Sequence, residues 1–304
     1  MKNRLFVSVS KDMLPRQEYR HPFLYFERSR IEVDDGSIKV LSADEGVFNV
    51  PVAMVSNLLL GPGCSITTEA VKTVASVNCS ICWVGEDSFR FYAGGRAPTD
   101  HSKSCYWQLA QYSDEEKRLE VARRMFRLRF PCVDLAARPL KQLMGMEGSR
   151  VKASYASYAV KYGVEWSGRN YNFTENALGN AFVHGSYVKD CGDTINRAIT
   201  AGSQALYSLV HGFIYSMGFL PQVGFVHSSS PLPFVYDIAD LYKDKLIVEP
   251  SFQMVGAGKL DSSFSTKLIL ENLCSRLQES GVLRRIPTDI WSVLGRSYGS
   301  ADCE

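Results

Sequence analysis

The hydrophobic pattern of this chain changes abruptly near residues 94–98, which read G-G-R-A-P. Before this point, short apolar runs end at turn signals, as when R-I-E-V precedes D-D-G and S-N-L-L-L precedes G-P-G. Such runs predict short β-strands. One helical segment interrupts them, with Thr67 or Thr68 as its N-cap and Glu69 in its first turn. The first 95 residues therefore predict a small β-sandwich-like domain.

Beyond residue 98, apolar residues recur at helical spacing. Ser113 begins the sequence S-D-E-E, which predicts a capping box, and the helix that follows stops before Pro131. A second helix begins near Leu140. A third starts at Asp193 and ends before Gly218. The rest of the chain is therefore predicted to be helical.

Together these patterns predict an α+β fold with two domains, as the chain length also favours. The expected division is an N-terminal β-rich domain over residues 1–95, a linker over 96–104 and a larger all-α domain over 105–304. The segment from about 172 to 191 is rich in Asn and Gly without a clear period, and we predict a surface loop there. His184 is accordingly expected to be exposed to solvent rather than catalytic.

Composition narrows the class of protein. The chain has 304 residues and a net charge of only +2, so a nucleic-acid surface has to be sought in local clusters of basic residues. No apolar run reaches the length of a membrane span, and the apolar stretch near the N-terminus is too short for a signal peptide. The eight cysteines are expected to be reduced thiols in the cytoplasm.

The segment from Gly224 to Asp240 carries the strongest chemical signal. It contains one histidine, His227, and two acids, Asp237 and Asp240, that are three residues apart in a helix-compatible run. The two carboxylates therefore face the same way. Acids with one imidazole are typical of a site for a hard divalent metal. If Glu147 joins them, the pattern predicts a metal-dependent enzyme that acts on phosphodiesters.

Each of these residues also has a purely structural explanation. Glu147 could form a surface ion pair with Arg150 three residues later, and His227 could be a hydrogen-bonded core histidine. Asp237 and Asp240 could complement a helix dipole. Only the combination of motifs favours a functional site over these alternatives.

In chain order, the motifs are Q-L-M-G-M-E-G-S-R-V-K-A-S-Y, G-D-T-I-N-R-A-I, G-F-V-H and P-L-P-F-V-Y-D-I-A-D-L. This series resembles the CRISPR-associated integrase family, that of the first Cas protein, which acquires new spacers in antiviral defence. The likeness looks closest to the type I-E form. It covers nearly the whole chain, because F-L-Y-F-E-R-S-R-I-E-V-D-D-G and W-V-G-E-D-S-F-R-F-Y-A-G-G are also similar to that form's N-terminal domain.

The resemblance implies a catalytic set of Glu147, His227, Asp237 and Asp240. Glu147, His227 and Asp240 would be the metal ligands, for Mg²⁺ or Mn²⁺, and Asp237 would be a further acid at the site. The helical domain would be catalytic, and the β-rich domain would serve dimerisation and DNA contact. In the implied reaction, the 3′-hydroxyl of a short DNA duplex, the prespacer, attacks a phosphodiester of the CRISPR repeat.

The implied partners are double-stranded DNA and the second CRISPR adaptation protein, a small ferredoxin-like dimer that bridges two dimers of this chain. No membrane is implied. Basic residues that could contact DNA are Arg90, Arg123, Arg124, Arg127, Arg150, Lys152, Arg169, Lys243 and Lys245. Each could equally be a solvated surface charge. Two alternative functions remain open on the sequence, a stand-alone nuclease on branched DNA and a non-catalytic DNA-binding scaffold.

Overall fold

A computed structural model gives the structure of the protein. It describes residues 19–34, 37–85, 91–95, 102–131, 138–168, 194–227, 230–261 and 265–297, together with the backbone of three short strands between 173 and 188. Arg90, Arg169 and His184 lie outside the described residues.

Two four-stranded sheets form the N-terminal part of the chain. The first sheet has, in spatial order, β1 (Leu24–Phe26), β5 (Asn57–Leu60), β7 (Ser80–Val84) and β8 (Phe91–Gly95). The second has β4 (Gly46–Val50), β3 (Ser37–Ser42), β2 (Ser29–Asp34) and β6 (Ser65–Ile66). β1, β5 and β7 run parallel and β8 is antiparallel to β7, whereas β2, β3 and β4 form an antiparallel meander. The predicted sandwich-like domain is confirmed.

A core of apolar residues lies between the two sheets and is covered by the helix α1 (Thr68–Ser76). The backbone N–H of Ala70 donates to the Thr67 hydroxyl at 3.2 Å, so Thr67 is the N-cap. β5 is buried on both faces, which is why it reads as a continuous apolar run. Leu58 and Leu60 enter the core between the sheets, and Leu59 enters the core of the helical part.

The C-terminal part of the chain is mostly helical, as predicted. Its helices are α2 (Ser102–Tyr112), α3 (Glu115–Arg129), α4 (Leu140–Tyr162), α5 (Thr194–Ser216), α6 (Pro233–Ala239), α7 (Glu249–Gly256), α8 (Thr266–Glu279) and α9 (Val282–Val293). α5 is buried along almost its entire length and contacts β5, β8 and the helices α6 to α9. It ends before Gly218, whose positive φ of 77° favours glycine.

Three details differ from the sequence predictions. The N-cap of α3 is Asp114 rather than Ser113, because its carboxylate accepts the N–H of Lys117 at 3.0 Å. α2 begins at Ser102, so the last three residues of the predicted linker are helical. The predicted loop at 172–191 contains the antiparallel strands β9 (Phe173–Glu175), β10 (Ala181–Val183) and β11 (Ser186–Val188), which are too short to show a period in the sequence. The domain limits at 95 and 105 stay predictions.

The C-terminal end of α4 is fastened to α7 and to the π-helical turn before it. The Tyr158 hydroxyl donates to Asp244 at 2.8 Å. The carboxylate of Glu249 accepts hydrogen bonds from Lys161 at 2.8 Å, Lys245 at 3.0 Å and Tyr162 at 3.2 Å. These contacts fix the helix on which Glu147 lies.

The close approach of α5 to β5 leads to a first prediction. A Cβ added at Gly212 would lie 2.3 Å from the Asn57 Oδ1 atom, and Asn57 is itself held by a bond to the Pro22 carbonyl. We expect Gly212→Ala to lower the free energy of unfolding by about 1–3 kcal/mol, as overpacking does. Nothing lies within 4 Å of a Cβ at Gly145, so Gly145→Ala should raise the free energy of unfolding by about 0.5–1 kcal/mol. Urea titrations followed by circular dichroism measure both, and equal effects would contradict this packing.

A second prediction concerns the acid stability of the α4–α7 contact. The hydrogen bonds from Lys161 and Lys245 lower the pKa of Glu249 to about 2. A lowered pKa means that the unfolded chain takes up the proton first, so the stabilisation is complete above about pH 4.5 and is lost as the pH falls towards 2. Because both lysines are exposed, we expect only about 1 kcal/mol. The difference in unfolding free energy between wild type and Glu249→Gln should shrink over this pH range, and a constant difference would contradict the assignment.

Candidate active site

The predicted site residues meet in one cleft. Its polar side chains come from the end of α3, the middle of α4, the loop before α6 and α6 with its C-cap, and they are Arg129, Glu147, His227, Asp237 and Asp240. Met125 and Phe126 form an apolar wall. Glu147 and Asp240, which are 93 positions apart in the sequence, are thus brought together, as the resemblance implies.

Asp237 organises the loop before α6. Its carboxylate accepts the backbone N–H groups of Phe225, Val226 and His227 at 2.6, 3.1 and 3.0 Å. The same carboxylate lies 2.8 Å from Nδ1 of the His227 ring, and its side chain is fully buried. A Cβ at Gly224 would lie 2.5 Å from Pro233, so the loop also needs glycine where it passes under the start of α6. Asp237 therefore acts on the position of His227.

The bond to Asp237 sets the orientation of the His227 ring. With Nδ1 as donor to this carboxylate, Nε2 faces Asp240 at 3.9 Å from Oδ2. Burial alone would lower the pKa of His227, but the Asp237 hydrogen bond and the charges of Asp240 and Glu147 outweigh burial and raise the pKa. The imidazole is thus held among three acids.

Glu147 and Asp240 share one cationic neighbour, Arg129. Nη1 of Arg129 donates to Glu147 and lies 3.5 Å from Oδ2 of Asp240. Burial raises the pKa of Glu147 in spite of Arg129. Burial would also raise the pKa of Asp240, but the charges of Lys243, Arg129 and His227 outweigh it and lower the pKa. The two acids therefore differ in proton affinity although they face the same cleft.

Lys243 lies beside the site rather than on an open surface. Its ammonium group is 3.6 Å from Oδ1 of Asp240 and donates to the Tyr207 hydroxyl at 2.6 Å. Burial would lower the pKa of Lys243, but Tyr207 and Asp240 outweigh burial and raise it, so the side chain stays charged. Lys243 is therefore placed to hold Asp240 ionised.

The chemical types of the donors, two carboxylates and one imidazole, suit a divalent metal ion. Two ligands about 2.1 Å from one octahedral ion lie about 3.0 Å apart when adjacent and about 4.2 Å apart when opposite, and the 3.9 Å between His227 Nε2 and Asp240 Oδ2 lies between these two distances. His227 also has the buried carboxylate partner that metal-binding histidines require. Within the described residues, however, no three acidic, histidine or cysteine side chains are close enough to hold an ion, and Arg129 lies between Glu147 and Asp240.

The predicted DNA-contact residues on α3 form ion pairs within the protein. Arg123, Arg124 and Arg127 surround Glu120 at 3.8, 3.6 and 2.9 Å. Arg124 also donates to the Val293 carbonyl at 3.3 Å. Of the three, Arg127 is the most exposed, so it is the most accessible to a phosphate group.

Two of the predicted basic residues lie on α4, the helix that carries Glu147. Arg150 and Lys152 are exposed, and Arg150 lies over the ring of Phe130, the residue after Arg129. Lys245 is also exposed but pairs with Glu249 on the side where α4 meets α7. The structure therefore groups Arg150 with the candidate site and places Lys245 away from the Arg129 contacts.

Sequence reasoning missed Arg129 and Tyr207 as members of the site, and it predicted Lys243 as a DNA contact rather than as a partner of Asp240. Arg129 belongs to a helix with five arginines that look alike in sequence. Its partner Glu147 is 18 residues away and its partner Asp240 is 111 residues away. Its place at the C-terminal end of α3, just before Pro131, is the only sequence signal that distinguishes it.

Comparison with known proteins identifies the family of the chain. The family model for CRISPR associated protein Cas1 matches residues 23–130. A protein of Chlorobaculum tepidum, named CRISPR-associated endonuclease Cas1 2, is 41% identical over 298 residues, which cover 98% of this chain and 96% of the relative. The chain belongs to the Cas1 family. The predicted family membership is thereby confirmed.

Other Cas1 proteins show similar extents of likeness. The CRISPR-associated endonuclease Cas1 of Escherichia coli K12 is 37% identical over 237 residues, 77% of this chain and 73% of the relative. A solved structure described as a TtCas1-DNA complex has a TM-score of 0.76 and 33% identity, and the match covers 90% of this chain and 91% of that one. A casposase bound to integration product has a TM-score of 0.69 at 14% identity, over 93% and 94% of the two chains, and this likeness concerns the fold alone.

The Cas1 relatives and the fold confirm the predicted α+β architecture. Among the described residues, none of the helices has the length and apolar character required to traverse a lipid bilayer. The predicted cytoplasmic location stays a prediction.

The environment of Asp237 generates a third prediction. Asp237→Asn would turn an amide NH₂ group towards backbone N–H donors, so at least one buried donor would lose its acceptor. We expect a loss of about 2 kcal/mol in the free energy of unfolding, together with a loss of activity as His227 loses its orientation. Asp289→Asn is the matched control, because the amide oxygen can still accept the Tyr242 hydroxyl that Asp289 binds at 2.6 Å. Guanidinium titrations of both variants test this, and equal losses would contradict a special role of Asp237.

Proposed function

We propose that this Cas1 protein is a metal-dependent DNA integrase that inserts prespacer DNA into a CRISPR repeat. The observation that carries the proposal is the convergence of Glu147, His227 and Asp240 in one cleft, with His227 oriented by a buried carboxylate. Membership of a family whose relatives are named endonucleases supports action on phosphodiester bonds. The proposed cofactor is Mg²⁺ or Mn²⁺.

The proposed reaction is a transesterification. The 3′-hydroxyl of the prespacer attacks a phosphorus atom of the repeat, and a new phosphorus–oxygen bond forms as the bond to the 3′-oxygen of the repeat breaks. The attacking hydroxyl loses its proton and the departing oxygen gains one, so the number of phosphodiester bonds is unchanged. Two such attacks on opposite strands complete the insertion.

In this proposal, Glu147, His227 and Asp240 would hold the metal ion through two carboxylates and one imidazole nitrogen. The ion would supply Lewis-acid stabilisation of the charge that develops on the phosphate oxygens and would orient the nucleophile. Asp237 keeps the ring of His227 in place through Nδ1, and Lys243 keeps Asp240 ionised.

The substrate and partners are proposed from the same chemistry. A Cas1 relative has been crystallised in a DNA complex, and exposed Arg127, Arg150 and Lys152 give this chain cationic side chains on α3 and α4. Insertion joins two prespacer ends to two strands, so one site is not sufficient. We therefore propose a homodimer, with two dimers bridged by the small ferredoxin-like second adaptation protein, acting in the cytoplasm.

A fourth prediction tests catalysis directly. A labelled duplex with free 3′-hydroxyl ends is incubated with supercoiled repeat DNA, the second adaptation protein and Mn²⁺, and joined product is measured on denaturing gels. Asp240→Ala removes one carboxylate of the cleft, and we expect a loss of at least about 100-fold in product. Asp44→Ala, which removes an exposed acid between β3 and β4, is expected to react like wild type. Chelation of the metal should abolish product.

Mobility-shift assays with the same variants separate the competing functions. Loss of product with DNA binding retained would exclude a non-catalytic scaffold. Equal product from wild type and Asp240→Ala would overturn the catalytic proposal. If the protein nicks branched DNA but never joins the prespacer, with or without the partner, the stand-alone nuclease is the correct function and integration is not.

A further inference from the structure

Arg129 occupies the centre of the proposed metal site. One nitrogen atom, Nη1, donates to Glu147 and lies 3.5 Å from Asp240. The three side chains are 14%, 14% and 16% exposed, so water screens this cluster only weakly. The guanidinium is always protonated in proteins. A positive charge therefore already lies between the two carboxylates that would bind the ion.

Charge neutralisation explains why a cation is needed there. Two carboxylates that face one buried point repel each other, and burial penalises the ionised form of each. His227 and Lys243 lie beside Asp240, at 3.9 and 3.6 Å, but among these contacts only Arg129 touches both acids. Arg129 thus neutralises the repulsion between Glu147 and Asp240 in the metal-free cluster, as a divalent ion would do when bound.

The guanidinium and a metal ion cannot both occupy this point. An ion about 2.1 Å from an oxygen of each carboxylate would need the space in which Nη1 now contacts both. A divalent ion beside a guanidinium would also add repulsion in a weakly screened cleft. Metal binding therefore requires that Arg129 leave at least one of the two acids.

The ring of Phe130 lies next to the displaced group, and Arg150 also approaches this ring, at 5.4 Å from its centre. Arg129 is the last residue of α3, and its Cζ atom already lies 5.2 Å from the ring centre of Phe130, the next residue. Aromatic faces attract guanidinium groups at this distance. In the displaced state, rotation of the flexible side chain would carry the charge from the acids towards this ring.

We propose that Arg129 is an internal counter-cation that holds Glu147 and Asp240 in the metal-free protein and is displaced when a divalent ion binds. The inference rests on the proposed metal dependence of the site. It assigns to Arg129 a positioning role that lowers metal affinity, so that the ion must compete with a side chain of the protein itself.

The fifth prediction is measured as binding of Mn²⁺ to the full chain without DNA, by isothermal titration calorimetry and by the electron paramagnetic resonance signal of free Mn²⁺. Arg129→Gln should bind Mn²⁺ at least tenfold more tightly than wild type, because the competing charge is gone. Without metal, its melting temperature should be lower than that of wild type, and saturating Mn²⁺ should narrow this difference. Arg276→Gln is the control, because it removes a guanidinium with two hydrogen bonds on α8 and should leave Mn²⁺ affinity unchanged.

Three outcomes decide the matter. Tighter binding by Arg129→Gln alone supports the proposal. Equal or weaker binding by Arg129→Gln, at a site that Asp240→Ala removes, overturns the role of Arg129 and leaves the metal-dependent function intact. If neither wild type nor Arg129→Gln binds Mn²⁺ at a site sensitive to Asp240→Ala, the metal-dependent function itself fails, and the inference fails with it.

A second variant is needed in case Arg129→Gln does not fold, which circular dichroism would detect. Arg129→Lys keeps the charge but has a shorter reach and no planar fork. Its ammonium should hold the two acids less well, so its Mn²⁺ affinity should lie between those of wild type and Arg129→Gln. An affinity equal to that of wild type in Arg129→Lys would overturn the proposal if the glutamine variant does not fold.

Discussion

The buried carboxylate of Asp237 is the interaction on which the site depends. A carboxylate removed from water is costly unless hydrogen bonds replace its hydration. Here three consecutive backbone N–H groups and the ring of His227 do so. Charge-assisted bonds of this kind are stronger than neutral ones. One side chain therefore fixes the loop, the ring orientation and the start of α6, and Asp240 follows three residues later at the end of that helix.

A single element also connects the two parts of the chain. The strand β5 belongs to one sheet but contributes to two cores, because Leu58 and Leu60 point one way and Leu59 the other. α5 packs against this strand, and glycine at position 212 lets it approach the side chain of Asn57. The helix in turn contacts α6, so the β-sheet supports the element that carries Asp237.

Local features of the fold could be predicted from the sequence because local interactions determine them. The cap at Thr67, the start of α4 at Leu140 and the end of α5 before Gly218 each depend on a few neighbouring residues. The choice of Ser113 as a cap was wrong by one residue, because Asp114 is an equally good acceptor and lies nearer to the helix. The parallel pairing of β1, β5 and β7 depends on long-range contacts that no short pattern contains.

The residues of the candidate site also divide into those that could be predicted from the sequence and those that could not. Glu147, His227 and Asp240 could be predicted as a group because their motifs occur in a recognisable order. The role of Asp237 towards His227 could not, since the loop geometry that turns its carboxylate onto three N–H groups appears only in the fold. Arg129 could not either, because its position at the end of α3 does not reveal that its guanidinium reaches Glu147 and Asp240.

The strand that serves two cores has a mechanical consequence. Because β5 contributes side chains to both cores, a hinge motion between the two parts would have to separate buried apolar residues. The distance from any surface of the β-rich part to the cleft is then set by packed side chains rather than by a tether. If two chains associated through their β-rich parts, the packing within each chain would help to set the distance between the two clefts before DNA binds.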